Sequence, residues 1–459
     1  MSEGALFAGP AMRRLRKREG LTQAAMAARL AISPSYLNLI ERNQRPLSAR
    51  VMVQVVDAFD FDPRSLREDE SIGGIDGLMR RLSDERFADL GIDREEAVEL
   101  LASSPQIAGA FARLYDTAGS GVSAEEDPLV QSRLEIERWR NHFGELDERA
   151  ELIADELRLS HSDMGLALAE RLRERHQLTI RVLPREVMPD AIRRLDLHAR
   201  QLQLSEMLSP ASRNFQVAMQ FAMLEEQAAI ANIVGGSRLG SDAARKLFER
   251  HLVSYFAAAL LLPYGRFLRA CETTGYDLPV LQRRFGASFE QLAHRLTTLQ
   301  RVGQRGLPFF MARVDRAGQF SKRFAGASGT LLLEGQSSCP LWIVHRAFER
   351  AGTICVQAVT VDTRSSGSGH WLTIARAVDG SGSTGDARFA IILGIEAKLA
   401  SELAQARGIS LREEDAQPIG LGCAHCHRSD CSQRSLPPTG AALRFDRQAR
   451  GVTPFEFGR

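Results

Sequence analysis

Three cysteines close to the C-terminus have the spacing of metal ligands. Cys423, Cys426 and Cys431 form a C-x2-C-x4-C pattern, and His425 and His427 lie among them. A C-x2-C turn presents two thiolates to a soft or borderline metal. Two metals fit this donor set: zinc with a histidine as fourth ligand, or a [4Fe–4S] cluster with a histidine, a small molecule or another residue at the fourth iron. A loop of free thiols is the third interpretation.

A second segment, RNFQVAMQFAML over residues 213–224, has the layout of a zinc-peptidase helix without its chemistry. In an HExxH helix, two histidines one turn apart bind zinc and the glutamate activates the bound water. The corresponding residues here are Met219, Gln220 and Met223. A thioether is a poor ligand for Zn²⁺, and a neutral amide cannot accept the proton. The residue types therefore argue against peptidase activity.

The two methionines of this helix allow two interpretations. Met219 and Met223 are ordinary core residues in the first. In the second, a flexible apolar cavity receives the acyl part of a ligand, which the adaptability of methionine would suit. The residues alone leave both open.

Residues 12–61 have the pattern of a helix-turn-helix module. Apolar residues recur there at helical spacing, namely Leu15, Leu21, Met26, Leu30, Leu37, Ile40 and Val55. Thr22 suits the N-cap of one helix, and Ser33 followed by Pro34 begins the next. The connection of about two residues is as tight as this motif requires. The N-terminal end of the second helix would face base edges in the major groove.

This module indicates double-stranded operator DNA as a partner. The predicted contact residues are Gln23, Ser33, Ser35, Tyr36, Asn38, Arg42, Asn43 and Arg45, with Gln23 either touching a phosphate or bracing the second helix. The first 60 residues carry nine Lys or Arg against five Asp or Glu, a net charge of +4, while the whole chain is +2. Basic side chains supply most sequence-independent affinity for phosphates. A small helical bundle with a solvated basic face is the alternative.

Length and composition limit the classes of protein to which this chain can belong. The 459 residues predict two to four domains. We find no stretch of about 18 apolar residues and no secretory leader, so we expect a cytoplasmic protein with no membrane partner. Cysteines in that compartment are reduced or bind metal. Cys271, Cys339 and Cys355 lie in apolar segments, and we expect them in the core.

The fold class predicted is multidomain, mainly α plus α+β. The expected parts are an all-α helix-turn-helix domain over 1–63, a helical connector and dimerisation region over 76–160, a zincin-like α+β domain over 161–299 and a mixed α/β domain, PAS- or GAF-like, over 300–459. Charged residues and glycines at 64–75 suit a linker.

Individual elements follow from the same patterns. LTIRVL at 178–183 predicts a strand, and 192–197 with 201–204 predicts a hairpin. Two long helices are expected over 212–234 and 241–262. The last part alternates strands with loops, and we include LWIVHRAF at 341–348 among the strands.

Three parts of the chain together resemble one family. SYLNLIERNQRPLS at 35–48 is similar to Xre-type repressors. Residues 160–265, which include YFAAALLLP at 255–263, resemble ImmA/IrrE-type zinc peptidases. The position that matches the family's third zinc ligand falls near Leu252. With the cysteine motif added, nearly the whole chain resembles the ScfR family, transcriptional regulators that respond to short-chain fatty acyl-CoA.

The resemblance implies a regulator rather than an enzyme. An acyl-CoA would bind the peptidase-like region and change DNA affinity, and a homodimer or higher homo-oligomer would bind the operator. The phosphates of CoA need cations, and Arg213 is the first choice because it lies beside a helix N-terminus. The candidate effector residues are Arg181, Arg193, Arg194, Arg213, Met219, Met223 and Tyr255. The resemblance also favours [4Fe–4S] over zinc. The rivals are a redox-sensing regulator without CoA and a zinc metallopeptidase.

Overall fold

The fold is described from a computed structural model. It describes residues 9–41, 45–59, 74–84, 87, 90–118, 127–160, 163–326, 331–333, 335, 337–363, 367–380, 387–446, 448–449, 451, 453 and 455–457. The chain divides into two compact units, one within residues 1–124 and one formed by residues 125–363 and 367–459. The expected class, α plus α+β in several domains, is confirmed.

Four short helices enclose the first core. They are α1 (Gly9–Arg18), α2 (Gln23–Arg29), α3 (Pro34–Glu41) and α4 (Ala49–Phe59). The buried side chains include Leu15, Met26, Leu30, Leu37, Ile40 and Val55, as the spacing predicts. The backbone N–H of Ala25 donates to Thr22 Oγ1, and that of Tyr36 donates to Ser33 Oγ, so both expected caps are present. The helix-turn-helix prediction is confirmed.

Three further helices complete the first unit. They are α5 (Gly74–Leu82), α6 (Arg94–Ser103) and α7 (Pro105–Ala118), and they pack around Leu78, Ala97, Ala108 and Ala112. A capping box begins α6, where the Asp93 side chain accepts from the N–H of Glu96 and the Glu96 side chain accepts from the N–H of Asp93. The helices expected over 76–116 are therefore present.

The second unit begins with three helices and a small sheet. α8 (Pro128–Arg138), α9 (Gly144–Ser160) and α10 (Met164–His176) precede β1 (Thr179–Leu183), β2 (Arg193–Asp196) and β3 (Gln201–Ser205). β3 lies in the middle, parallel to β1 and antiparallel to β2. The predicted strand and hairpin are confirmed.

The helices that follow the sheet differ in one respect from the prediction. They are α11 (Pro210–Glu225), α12 (Gln227–Gly235) and α13 (Asp242–Leu261). The expectation of one continuous helix over 212–234 is wrong, because the chain leaves helical geometry at Glu226. The Glu226 side chain is buried and forms an ion pair with Arg149 of α9. That tertiary partner cannot be read from local spacing.

The last part of the second unit is built on a six-stranded sheet. α14 (Tyr264–Thr274), α15 (Leu278–Phe285) and α16 (Phe289–Thr297) lead to β4 (Phe310–Val314), β5 (Phe320–Ala325), β6 (Cys355–Thr363), β7 (Gly367–Asp379), β8 (Arg388–Glu396) and β9 (Gln417–Ile419). The order is β5-β4-β8-β7-β6-β9, antiparallel except for β6 with β9. A short pair, β10 (Leu443–Arg444) and β11 (Glu456–Phe457), follows.

The prediction of a strand at 341–348 is wrong. The segment forms helix α17 (Ile343–Glu349), which packs on the sheet. Ile343, Val344 and Ala347 are buried, the spacing of one helical face. The Trp342 indole N–H donates to Thr373 Oγ1 of β7 at 3.2 Å. A short apolar run fits a strand or a buried helix equally, and packing decides here.

The two longest helices described are α9 and α13, with 17 and 20 residues. Both carry acidic and basic side chains along their length. In the described part of the chain, no helix combines the length and apolarity needed to cross a membrane.

Candidate DNA-binding, effector and metal sites

Helix α3 presents its N-terminal end to solvent. Ser33 and Ser35 are exposed, and Tyr36 and Asn38 are half-buried. On the opposite side, Leu37 and Ile40 are fully buried and fix the helix on the domain core. The exposed end therefore has the orientation needed to meet base edges in a major groove.

Gln23 at the start of α2 braces α3. Its amide nitrogen donates to Glu41 Oε2 at 2.8 Å and to Asn38 Oδ1 at 3.4 Å. Glu41 is buried and also accepts from Arg16 Nε at 2.6 Å. Burial acts to raise the pKa of Glu41, but hydrogen bonds from Arg16 and Gln23 hold that pKa below its usual value. The geometry supports the bracing role for Gln23.

The remaining predicted DNA contacts are basic or lie just beyond α3. Arg45 is exposed, and its guanidinium lies 5.6 Å from the ring centre of Tyr36. Arg42 and Asn43 lie outside the described residues. The structure thus places Tyr36 and Arg45 together, with the predicted serines on the same helix end.

The positions that hold zinc and the catalytic base in a peptidase lie in an apolar core. Met219 on α11 and Leu252 on α13 belong to the same buried cluster, and Gln220 is also buried. Met223 is only half-buried and packs at the edge of that cluster. Met219 therefore behaves as core, while Met223 remains accessible at the margin.

The small sheet separates the candidate arginines. Arg193 pairs with Leu204 across β2 and β3, whereas Arg181 and Arg194 both pair with Gln203. Successive side chains of a strand point to opposite faces. Arg181 and Arg194 therefore share one face, and Arg193 lies on the other, with the apolar residues that face α11.

Arg193 is a cation with an incomplete set of partners. Its Nη2 lies 3.7 Å from Met223 Sδ, and its Nη1 is buried without a hydrogen-bond partner. The pKa of Arg193 is lowered, first by burial and then by the positive charge of Arg250. No carboxylate of the described residues forms an ion pair with Arg193. Two neighbouring cations and an open donor suit a ligand anion.

Arg213 and Tyr255, the other two predicted effector residues, already have hydrogen-bond partners within the protein. Arg213 Nη2 donates to the Glu206 carbonyl at 3.0 Å, although its Nε is buried without a partner. Tyr255 is fully buried; its hydroxyl donates to Asp147 at 2.7 Å and accepts from the Phe143 N–H. The structure therefore brings Arg193 and Met223 together but places Tyr255 in an internal network.

That network has a buried ion pair at its centre. Arg295 Nη2 donates to Asp147 Oδ1 at 2.6 Å, and both side chains are 0% exposed. Arg295 also donates to the Leu262 carbonyl and Thr298 Oγ1. Burial acts to raise the pKa of Asp147, but the charge of Arg295 and hydrogen bonds from His142, Arg295 and Tyr255 lower it. The network ties α9, α13 and α16 together.

An open cleft of about 740 Å³ lies at the other end of α11 from Met223. Its lining includes Ser209 and Pro210 at the start of α11, Arg283 in the last turn of α15, and Arg376 on β7. Arg376 Nη1 donates to Gln282 Oε1 at 2.9 Å. Among the described residues that line the cleft none is acidic, so it is a second position at which an anionic ligand can be tested.

The cysteine loop is partly buried. Cys431 is buried, whereas Cys423 and Cys426 are half-buried. A Cβ on Gly420 would lie 2.6 Å from Cys426 Sγ, so glycine there leaves room for the thiol. Across the residues that the structure describes, no three His, Cys, Asp or Glu side chains are close enough as they stand to hold one ion.

A fourth thiol that the spacing does not indicate lies next to this loop. Cys339 is buried, as expected for a core residue, and the backbone of Gly420 and of Leu341 acts to lower the pKa of its thiol. Burial raises the pKa of Cys339, and Cys426 and Cys431 are close enough to raise it further. Cys339 is 84 residues before Cys423, so only the fold brings them together.

These features define a class of protein. A helix-turn-helix module with an exposed recognition-helix end, in one chain with a peptidase-like domain that lacks zinc ligands and base, is the organisation of a DNA-binding transcriptional regulator. Family models match three parts in succession: a helix-turn-helix domain at 9–69, an IrrE N-terminal-like domain at 173–297 and the C-terminal domain of short-chain fatty acyl coenzyme A regulators at 298–455.

Whole-length relatives agree with these matches. The HTH-type transcriptional regulator RamB of Mycobacterium tuberculosis is 34% identical and PrpR of the same organism 33%, over 98% of this chain and 98% and 95% of theirs. The propionyl-CoA carboxylase regulator of Cereibacter sphaeroides is 34% identical over 98% of both chains. A solved Mycobacterium tuberculosis transcriptional regulator superposes with a TM-score of 0.65 at 34% identity, covering 72% of this chain and 99% of that one. The chain therefore belongs to the ScfR family.

Two substitutions should separate base reading from phosphate contact. We expect Asn38→Ala to weaken binding to a DNA fragment selected from a random pool by about 1–3 kcal/mol, with little effect on unrelated DNA. Arg45→Ala should weaken binding to both DNAs and reduce the slope of log K against log salt concentration by roughly 0.9. Fluorescence anisotropy over a salt series measures both quantities. Equal losses on the two DNAs for Asn38→Ala would show that it reads no base.

Proposed function

We propose that a short-chain acyl-CoA controls this DNA-binding regulator by binding at the edge of the peptidase-like domain formed by Arg193 and Met223. The observation that carries the proposal is the half-buried Arg193 guanidinium, which has a donor without a partner and Arg250 as a neighbour. A phosphate group of CoA would supply the missing anion and form charge-assisted hydrogen bonds.

The methionines suit the other end of such a ligand. Met223 is accessible, and its flexible thioether can move to admit an acyl group. Met219 is packed into the core immediately behind it, one helical turn earlier. An acyl chain that enters at this edge therefore meets filled space, which favours a short chain.

Control of transcription requires that the ligand favour one arrangement of the protein. A ligand shifts a conformational equilibrium only by its difference in affinity for the two states. One helix-turn-helix module buries little DNA surface for specific binding, so we propose that two or more chains bind the operator together. The acyl-CoA would then alter how the two modules are presented to the half-sites.

A pair of adjacent arginines provides the test. Arg193→Gln removes the cation on the face of β2 towards α11. Arg194→Gln removes the neighbouring cation on the opposite face and serves as the matched control. A charged hydrogen bond contributes about 1.5–3 kcal/mol, so Arg193→Gln should weaken propionyl-CoA and acetyl-CoA binding roughly tenfold to a hundredfold. Isothermal titration calorimetry measures this.

The same titration decides between the two positions of the ligand. Unchanged affinity in Arg193→Gln contradicts the proposed site. If Arg376→Gln alone weakens binding, the ligand occupies the cleft at the start of α11 instead. If wild-type protein binds neither thioester, the rival regulator that responds only to the cysteine loop is favoured.

We also propose a metal centre at the cysteine loop, because Cys339 adds a fourth thiol to Cys423, Cys426 and Cys431. Four thiolates are a common donor set for [4Fe–4S] clusters and for structural zinc. The donor set fits by its chemistry, and Gly420 leaves room for the Cys426 thiol, whereas the described side chains as they stand are not close enough to hold one ion. A cluster would supply one-electron redox chemistry; zinc would supply structural support. The family resemblance favours the cluster.

A further inference from the structure

Arg434 lies at the centre of the cysteine loop. The residue is only 4% exposed. Its Nη2 donates to the carbonyls of Cys426 at 2.8 Å and Arg428 at 2.6 Å, and its Nη1 donates to those of Cys423 at 3.3 Å and Leu436 at 3.0 Å. One guanidinium therefore connects the C-x2-C turn to the chain on the far side of Cys431.

Among the residues that the structure describes, no group of opposite sign pairs with Arg434. No ion pair joins it to a carboxylate among the described residues, and its Nε is buried without a hydrogen-bond partner. The Phe457 ring lies 4.8 Å away and contributes a cation–π contact. A buried charge is costly unless a counter-charge offsets it, so an anion is expected at this place.

The Cys426 thiol lies beside Arg434 and can provide that anion as a thiolate. Arg434 Nη2 lies 3.7 Å from Cys426 Sγ. Cysteines bind metals as thiolates, and four thiolates outnumber the charge of the metal they hold. A loaded centre at this loop would carry net negative charge directly beside the guanidinium.

We propose that Arg434 is a positioning residue of the metal centre: its planar fork holds the loop in shape, and its fixed charge offsets the negative charge of the metal-bound thiolates. The offsetting of thiolate charge rests on the proposed metal centre. The holding of the loop by the guanidinium fork, which we call the clamp, does not rest on it. Arginine suits both parts, because its donors form a rigid fork that a lysine ammonium lacks.

The test uses three variants of the full-length chain. Arg434→Met removes fork and charge, Arg434→Lys keeps the charge alone, and Arg407→Met changes an exposed arginine of the same domain. After anaerobic loading with iron and sulfide, or with zinc, loss of metal to EDTA is followed. We expect loss at least tenfold faster for Arg434→Met, a smaller effect for Arg434→Lys and none for Arg407→Met.

Limited proteolysis of the metal-free proteins separates the clamp from the charge. Cleavage within 420–440 should be faster for both Arg434 variants than for wild type. Metal retention by Arg434→Met as long as wild type, with unchanged cleavage, overturns the inference. Equal metal loss in the Lys and Met variants removes the charge part. If wild type binds no metal, the metal centre fails, and cleavage alone decides whether the clamp stands.

Discussion

Replacing Asp147 by Asn should lower the free energy of unfolding of the second unit by about 3–5 kcal/mol, because Arg295 is left as a buried charge without a counter-charge. Both side chains are fully buried and joined at 2.6 Å. The pKa of Asp147 is lowered, so the carboxylate is ionised at pH 7, where the measurement is made. Asn keeps one acceptor oxygen but presents an NH2 donor in place of the other, so it cannot accept from both Arg295 and Tyr255, and this lost hydrogen bond adds to the effect of the charge.

Urea unfolding followed by tryptophan fluorescence measures this effect in the intact chain. Trp139, Trp342 and Trp371 are the three tryptophans, and all lie in the second unit, so the signal reports on that unit. Asp155→Asn is the matched control, since Asp155 lies on the same helix and pairs with Arg266 at the surface. The control should cost less than about 1 kcal/mol.

A double variant tests the physical reason. Asp147→Leu with Arg295→Met removes both charges and should recover most of the loss, because apolar residues can replace a buried ion pair with little cost. Equal effects of Asp147→Asn and Asp155→Asn would contradict the prediction. A double variant as unstable as Asp147→Asn would show that the hydrogen bonds, not the charge, dominate.

The ion pair lies where three helices meet the start of the C-terminal domain. Asp147 lies on α9, Tyr255 on α13 and Arg295 on α16, and Arg295 also holds Thr298 where the C-terminal domain begins. Nearby, the Asn141 amide nitrogen donates to Thr297 Oγ1, and the Asn141 amide oxygen accepts from His251 Nε2. This polar junction therefore joins the peptidase-like part to the start of the C-terminal domain.

What could be predicted from the sequence was local. Thr22 and Ser33 are caps whose evidence lies within a few residues, and the helix-turn-helix module follows from them. The period-two pattern likewise located β1 and the hairpin. Glu226 shows the limit, because the break after α11 depends on Arg149, 77 residues earlier.

The candidate sites divide in the same way. The zinc-peptidase positions Met219 and Met223 can be identified from sequence, because their spacing lies on one helix. The partners of Arg193 could not, although the alternation along β2 already separates it from Arg194. Tyr255 is predicted as a ligand contact from its place on the facing helix, but in the structure its hydroxyl donates to Asp147 in the core.

For the proposed metal centre, we expect Cys339→Ser to lower the metal content after loading almost as completely as Cys426→Ser, because a hydroxyl is a poor ligand for the soft metals that thiolates hold. Cys355→Ser is the matched control: Cys355 and Cys339 are both 7% exposed, but Cys355 lies on β6, where it pairs with Ala375 of β7. Metal content after anaerobic loading, with the visible absorbance that a cluster would give, measures the result. Full metal content in Cys339→Ser, together with loss in His425→Ala or His427→Ala, would make a histidine the fourth ligand. A histidine as fourth ligand follows from the sequence spacing, whereas Cys339 as fourth ligand follows from the fold. This comparison therefore decides which residue is the fourth ligand of the proposed metal centre.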